Sequence, residues 1–135
     1  MELYGLYRVA RVSMQGNVFL IEVEDKEIVE LENTIYAFVI NDEYIRIGSS
    51  KGVLKKRLRS WERDVTRRLE GRETSTPDWE AKEWKERLEK HGEGIIYARR
   101  GTEVTTPVGT FPAYLDEESV LIGRHLPPLN RSKHR

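Results

Sequence analysis

The spacing of apolar residues changes near Val53, and this change limits what the chain can fold into. Before it, residues 35–40 and 44–48 are short apolar runs joined at 41–43, which predicts a β-hairpin. After it, apolar residues recur at spacings of four, three, four and four, which predicts one stripe of an amphipathic helix ending at Gly71. The stripe consists of Leu54, Leu58, Trp61, Val65 and Leu69. A hairpin followed by such a helix indicates a mixed α+β fold.

The rest of the chain continues this mixture of strands and helices. Thr76 and Pro77 are a suitable N-cap and first residue for a second helix, which buries Ala81, Trp84 and Leu88. The predicted elements are strands at 4–12, 17–24, 35–40 and 44–48, helices at 53–71 and 77–91, a strand at 94–99, a hairpin within 101–113 and a helix at 116–126. We expect a small antiparallel sheet flanked by helices.

Length and composition favour one domain without disulfides. The 135 residues form one domain most simply, with 1–33 as an N-terminal hairpin extension of a core at 34–135. There is no cysteine, and His91, His125 and His134 lack zinc-site spacing, so a cation bound by hard oxygen ligands is the better candidate. No apolar run approaches the ~20 residues of a membrane span, and no signal peptide is evident. We therefore expect a soluble cytoplasmic protein without a membrane partner.

The formal net charge of +0 hides a strong asymmetry. Residues 1–45 carry 3 Lys+Arg and 9 Asp+Glu, whereas residues 46–72 carry 10 and 3. Such a surface suits a polyanionic ligand such as nucleic acid. The alternative is a solvated helix face with i, i+4 ion pairs, but few acidic residues are interleaved to form them.

The register of the second hairpin determines whether Tyr36 has a cationic neighbour. A three-residue loop at 41–43 would place Tyr36, Phe38, Tyr44 and Arg46 on one face, whereas a two-residue loop would separate them. A guanidinium beside the phenol would stabilise its phenolate, so Tyr36 could act as a general base with Arg46 in an electrostatic role. The alternative is an ordinary strand aromatic, which the spacing alone favours.

Gly48 predicts a tight turn into the following helix. Ser49, Ser50 and the next amides would then lie near a helix N-terminus, where backbone N–H groups favour phosphate. One turn further, Arg57 lies beside the apolar stripe and can donate to a phosphodiester oxygen. The alternative for Arg57 is an exposed helical arginine, and its position in isolation favours that alternative.

These residues also form recognisable motifs. Thr34-Ile35-Tyr36 is followed after 9 residues by Arg46-Ile47-Gly48, and then by Arg57. This arrangement resembles the GIY-YIG nuclease superfamily. The stretch EESVLIGRHLPPLN resembles the closing motif of the same family, with a helical glutamate, a Leu-Ile pair, a proline and an asparagine. The resemblance extends from about residue 4 to the end of the chain and implies the GIY-YIG nuclease fold.

The resemblance implies an endonuclease that hydrolyses phosphodiester bonds of double-stranded DNA with Mg²⁺ or Mn²⁺. By the same resemblance, Tyr36 is the general base, Arg57 contacts the phosphate, and Asn130 supports the site. Lys82 falls near a lysine associated with such a site in similar nucleases.

Two positions depart from the family pattern. Arg46 replaces the second-motif tyrosine, as in some restriction-type members that resemble this chain. Trp61 stands four residues after Arg57, where many members have His or Tyr, and its place on the apolar stripe predicts a core residue.

Two glutamates are candidates for the metal ligand that the resemblance implies. The spacing from Asn130 favours Glu118, and the spacing from Pro127 favours Glu117. We prefer Glu118 because it shares a helix face with Leu121 and should point toward the sheet. The alternative is that both are simply acidic residues of a helix's first turn.

A set of basic and hydroxyl side chains is expected to follow the DNA backbone without reading its sequence. The set is Ser49, Ser50, Lys51, Lys55, Lys56, Arg59, Arg63, Arg67 and Arg68. Because one active site cuts one strand at a time, a double-strand cut needs two protomers or sequential nicks. We expect a homo-oligomer, either a dimer or a tetramer, assembled through the helix of Trp84 or the acidic N-terminal hairpins. The alternatives are a module that binds nucleic acid without cutting it, and a nuclease for RNA or repair intermediates.

Overall fold

A computed structural model describes the backbone of residues 1–133 and the side chains of residues 1–130. The elements are β1 (Tyr7–Gln15), β2 (Val18–Val23), β3 (Thr34–Ile40), β4 (Glu43–Ser50), α1 (Leu54–Leu69), α2 (Asp78–His91), β5 (Gly94–Arg100), β6 (Glu103–Thr106), β7 (Gly109–Pro112) and α3 (Tyr114–His125). A short 3₁₀ turn at Ile28–Glu30 lies between β2 and β3, and another at Pro128–Lys133 follows α3. The predicted α+β fold, an antiparallel sheet flanked by helices, is confirmed.

The central sheet has five antiparallel strands in the order β2-β1-β5-β3-β4. The N-terminal hairpin joins it because β1 pairs with β5. Strands β6 and β7 form a separate two-stranded hairpin. In the part of the chain that the structure describes, no helix is long and apolar enough to cross a membrane.

Helices cover both faces of the sheet. Helices α1 and α2 pack on the face that carries Phe38, whereas α3 packs on the opposite face against Ile35 and Val39. All 7 residues of β3 are therefore buried, as expected for a strand covered on both sides. Trp84 is fully buried beside Phe19 and Phe38, which confirms the prediction that it lies on the buried side of its helix.

The β3–β4 hairpin corrects the predicted loop. Ile40 pairs with Glu43, which leaves a two-residue turn at Asn41 and Asp42 with φ of 52° and 59°. The three-residue loop is therefore wrong.

A β-bulge nevertheless places Arg46 on the face of Tyr36. Phe38 pairs with Arg46 and Val39 with Tyr44, so Ile45 is the extra residue. The bulge shifts the alternation by one residue and returns Arg46 to the face of Phe38 and Tyr36. Contrary to the prediction, Tyr44 lies on the opposite face of the sheet, in the hydrophobic cluster that packs against α3.

Gly48 lies within β4 and does not form the predicted turn. It pairs with Tyr36, and a Cβ atom at this position would lie 2.5 Å from both Cζ and Oη of that ring. Only glycine therefore lets the Tyr36 ring cross β4. The helix begins at Leu54, so the predicted placement of Ser49 and Ser50 at its N-terminus is wrong.

The start of α2 also differs by one residue from the prediction. Pro77 is the N-cap, and no side chain caps the helix. Thr76 is buried, and its carbonyl oxygen accepts a hydrogen bond of 2.9 Å from Arg68 Nε. Arg68 also donates to the carbonyl oxygen of Thr74, so it fixes the connection between α1 and α2.

Candidate active site

The hydroxyl oxygen of Tyr36 accepts hydrogen bonds from two side chains of α1. Trp61 Nε1 donates at 2.8 Å and Arg57 Nε at 3.2 Å. The two donors are four residues apart, so one helix face presents both. Trp61 is a core residue as predicted, but it also belongs to this polar cluster.

Arg57 is the cation beside Tyr36, whereas the sequence predicted Arg46 in that place. The pKa of Arg57 is raised, mainly by the negative charge that Tyr36 carries when it is ionised. Partial burial of Arg57 lowers this pKa and so opposes the increase. The hydrogen bond to Tyr36 and the charges of Asp64 and Glu118 raise this pKa further. Arg57 stays cationic, and its two terminal nitrogens make no hydrogen bond within the described side chains.

Arg46 forms its hydrogen bonds with groups other than the Tyr36 hydroxyl. Its Nη1 donates to Glu80 Oε1 at 3.0 Å and to the Leu129 carbonyl oxygen at 2.6 Å. Its guanidinium lies 5.1 Å from the centre of the Trp61 ring, a cation–π distance. Arg46 therefore packs against the tryptophan that contacts Tyr36, and Glu80 of α2 fixes the position of Arg46.

Glu80 is a site residue that the sequence interpretation missed. Only 5% of it is exposed, and besides Arg46 it accepts a hydrogen bond of 3.4 Å from Trp84 Nε1. Burial raises the pKa of Glu80, and its contacts with Arg46 and Trp84 offset only part of the increase. The signal was present in the sequence, since Glu80 precedes Trp84 and Leu88 at spacings of four on the buried side of α2.

A cavity of about 110 Å³ opens beside this cluster. Its lining residues are Arg46, Arg57, Trp61, Asp64, Ser75, Thr76, Pro77 and Glu80. It is large enough for a few water molecules and has polar groups to hold them.

Glu117 is fully engaged in structural contacts. Arg99 donates to both carboxylate oxygens at 3.2 and 2.7 Å, and Thr102 donates through its backbone N and its Oγ1 at 2.7 and 2.8 Å. Burial alone would raise the pKa of Glu117, but these hydrogen bonds outweigh it and hold that pKa below its ordinary value. Glu117 therefore ties the start of α3 to the end of β5.

Glu118 has no such partners. Among the described side chains it forms no hydrogen bond or ion pair, and no cluster of three or more acidic or histidine side chains stands ready for a metal. Although α3 packs on the opposite face of the sheet from α1, the charge of Glu118 acts on Arg57. Of the two candidate carboxylates, Glu118 is the one without a hydrogen-bond or ion-pair partner among the described side chains.

Asn130 closes the edge of β4. Its Oδ1 accepts from the Ile47 backbone N at 2.8 Å, and its Nδ2 donates to the Ile47 carbonyl oxygen at 2.9 Å.

The structure does not bring Lys82 into the cluster. Lys82 is exposed and pairs with Asp78 at 2.7 Å.

The basic side chains of α1 form a shallow outer groove. Lys55, Lys56, Arg59 and Arg63 line it together with Ser60, Val53 and Glu30. Arg59 pairs with Glu62, and Lys55 lies 3.8 Å from Glu30. Most of these cations remain exposed, as a surface for phosphates requires.

Two solved structures are similar to this chain. An E118A mutant of bacteriophage T4 EndoII has a TM-score of 0.61 and 22% identity, and the match covers 93% of this chain and 91% of that one. The chain shares its fold with this protein. The restriction endonuclease Hpy188I in complex with product DNA has a TM-score of 0.54 and 19% identity, with 88% and 72% covered. No family model and no curated protein matches the chain.

Proposed function

We propose that this chain is a metal-dependent endonuclease that hydrolyses phosphodiester bonds of double-stranded DNA, as a member of the GIY-YIG superfamily. The observation that carries the proposal is the Tyr36 hydroxyl held by Arg57 and Trp61, and Glu118 offers a carboxylate without a partner among the described side chains. The shared fold with EndoII and with a restriction endonuclease solved with product DNA supports a nuclease and a DNA substrate.

Tyr36 would act as the general base. Two N–H donors hold its oxygen in place, and in the phenolate form that oxygen would take a proton from the attacking water. Arg57 uses Nε for Tyr36, so its terminal nitrogens can bind a phosphate oxygen and stabilise the charge that develops there.

Glu118 would hold the cation. A single carboxylate suits Mg²⁺ or Mn²⁺, because such ions retain several water ligands. When bound, the ion supplies Lewis-acid stabilisation of the phosphate and of the leaving oxygen. Asn130 keeps β4 in place by occupying its edge.

The exposed cations of α1 would follow the DNA backbone, so binding should weaken steeply with salt. Arg68 is instead engaged by the loop after α1. Because each active site cuts one strand at a time, a double-strand cut would need two copies of the chain in a homo-oligomer or two successive nicks by one copy.

The test is cleavage of supercoiled plasmid by purified protein. Mg²⁺ should allow nicking or linearisation, EDTA should stop it, and Glu118→Gln should abolish cutting while DNA binding persists. Glu86→Gln on the exposed side of α2 is the matched control and should cut normally. Metal-independent binding without cleavage by the wild type would refute the nuclease and identify a nucleic-acid-binding module.

A further inference from the structure

Helix α3 carries the candidate metal ligand Glu118, yet no side chain caps the start of this helix. Ala113 is the N-cap residue, and alanine has no side-chain oxygen that could accept a hydrogen bond. The backbone N–H groups of the first turn therefore lack a cap, which makes that turn less stable. Because Glu118 directly follows the first turn, contacts from outside the helix are needed to fix its position.

Arg99 near the end of β5 supplies such contacts. Its Nη1 and Nη2 donate to the two carboxylate oxygens of Glu117, the residue before Glu118, and its Nε donates to the carbonyl oxygen of Tyr4 at 2.8 Å. Only 18% of the Arg99 side chain and 24% of the Glu117 side chain are exposed. A bidentate arginine–carboxylate pair has a defined geometry, so this pair fixes the start of α3 relative to β5.

Tyr4 connects the same arginine with the other end of α3. The Tyr4 hydroxyl lies at a hydrogen-bond distance of 2.6 Å from Nε2 of His125, the last residue of the helix. Arg99 therefore holds the start of α3 directly through Glu117 and the end of α3 indirectly through Tyr4.

Arg99 belongs to the same sheet as Tyr36. It directly follows Ala98, the residue of β5 that pairs with Tyr36 of β3. The side chains of Ala98 and Tyr36 lie in the hydrophobic cluster under α1 and α2, whereas Arg99 contacts α3 on the opposite face. Arg99 is therefore a point at which the sheet that carries Tyr36 is joined to the helix that carries Glu118.

Every nitrogen of the Arg99 guanidinium already donates a hydrogen bond. Nε donates to Tyr4, Nη1 donates to Glu117 and to the carbonyl oxygen of Arg100, and Nη2 donates to Glu117. Arg57 differs, since its two terminal nitrogens make no hydrogen bond within the described side chains. The contacts of Arg99 therefore suit a role in holding α3 in place and not a role in binding DNA.

We propose that Arg99 is a positioning residue for the candidate metal site, because it orients the start of α3 and thereby the carboxylate of Glu118. Arg99 acts through Glu117 and contacts neither the cation nor the DNA. The inference deepens the proposed function and rests on it, since it requires Glu118 as the metal ligand.

Titration of the full chain with Mn²⁺ tests this role without a cleavage assay. The chain is mixed with a short DNA duplex, and the electron paramagnetic resonance signal of free Mn²⁺ is corrected for binding by the duplex alone. Arg99→Met should weaken Mn²⁺ binding about 10-fold or more, as loss of a residue that orients a metal ligand commonly does. Arg99→Lys can keep one hydrogen bond to Glu117 and should recover part of this loss. Binding of the duplex without metal should be the same as for the wild type.

Arg8→Met is the matched control, because Arg8 forms a comparable pair with Glu24 in the N-terminal hairpin, with hydrogen bonds of 2.7 and 3.3 Å. This variant should bind Mn²⁺ like the wild type. Thr102→Val is a milder second variant, since it removes only the hydroxyl that donates to Glu117 at 2.8 Å, and it should weaken Mn²⁺ binding in the same direction. Circular dichroism checks that each variant is folded.

The outcomes separate this inference from the proposed function. Wild-type affinity for Mn²⁺ in both Arg99→Met and Thr102→Val would overturn the positioning role and leave the proposed function intact. An equal loss in Arg8→Met would also overturn it, because the effect would then be one of general stability. If the wild type binds no Mn²⁺, or if Glu118→Gln binds it as tightly as the wild type does, the metal site is refuted and the positioning role with it.

Discussion

The indole nitrogen of Trp61 donates a hydrogen bond of 2.8 Å to the hydroxyl oxygen of Tyr36. Trp61→Phe should therefore remove the donor while keeping an aromatic ring in the core. A hydrogen bond to a charged group contributes about 1.5–3 kcal/mol, so plasmid cleavage should slow by about 10- to 100-fold. Trp79→Phe, outside the cavity lining, should cut at the normal rate. Equal rates for Trp61→Phe and the wild type would show that this bond does not matter for cleavage.

Gly48→Ala should displace the Tyr36 ring, because the new Cβ would lie 2.5 Å from its Cζ and Oη. Overpacking of this kind costs about 1–3 kcal/mol. We expect a lower free energy of unfolding in urea and a large loss of cleavage. Gly52→Ala is the matched control, since a Cβ there meets nothing within 4 Å. An equal effect of the two changes would argue against contact with Tyr36 as the reason for glycine at position 48.

Glu80 should make the protein less stable as pH rises. Its folded-state pKa is raised above the ordinary value of 4.5, first by burial. The stabilisation that Glu80 provides is therefore fully present below pH 4.5, and it is lost as pH rises through the pKa of Glu80 in the folded protein. The free energy of unfolding of the wild type, relative to Glu80→Gln, should fall as pH rises above 4.5. An increase over this range would contradict the direction of the shift.

Glu117 should behave in the opposite way. Its folded-state pKa is lowered because the hydrogen bonds from Arg99 and Thr102 outweigh burial. Its stabilisation is present above the ordinary value of 4.5 and is lost as pH falls through the folded pKa. Glu117→Gln should lower the free energy of unfolding at neutral pH by about 1–3 kcal/mol and still allow cleavage. If Glu117→Gln abolishes cleavage in folded protein while Glu118→Gln spares it, the two roles are reversed.

The sequence predicted those features that depend on local periodicity. The buried stripe of α1 and the order of strands and helices follow from apolar spacing, and the structure confirms them. The face of Tyr44 was mispredicted because the turn has two residues instead of three, and the bulge at Ile45, which leaves no local signal, reverses which face each later residue occupies. The cation at Tyr36 was misassigned because Arg46 finds Glu80 at a separation of 34 residues, a contact that only the packing of α2 creates.

The account depends most on the hydroxyl oxygen of Tyr36. Tyr36→Phe keeps the ring over Gly48 and removes only the atom that Trp61 and Arg57 contact. The decisive measurement is the rate at which this variant cuts supercoiled plasmid with Mg²⁺ under single-turnover conditions. We expect a loss of about 100-fold or more with DNA binding unchanged, whereas cleavage at the wild-type rate would contradict the proposed active site.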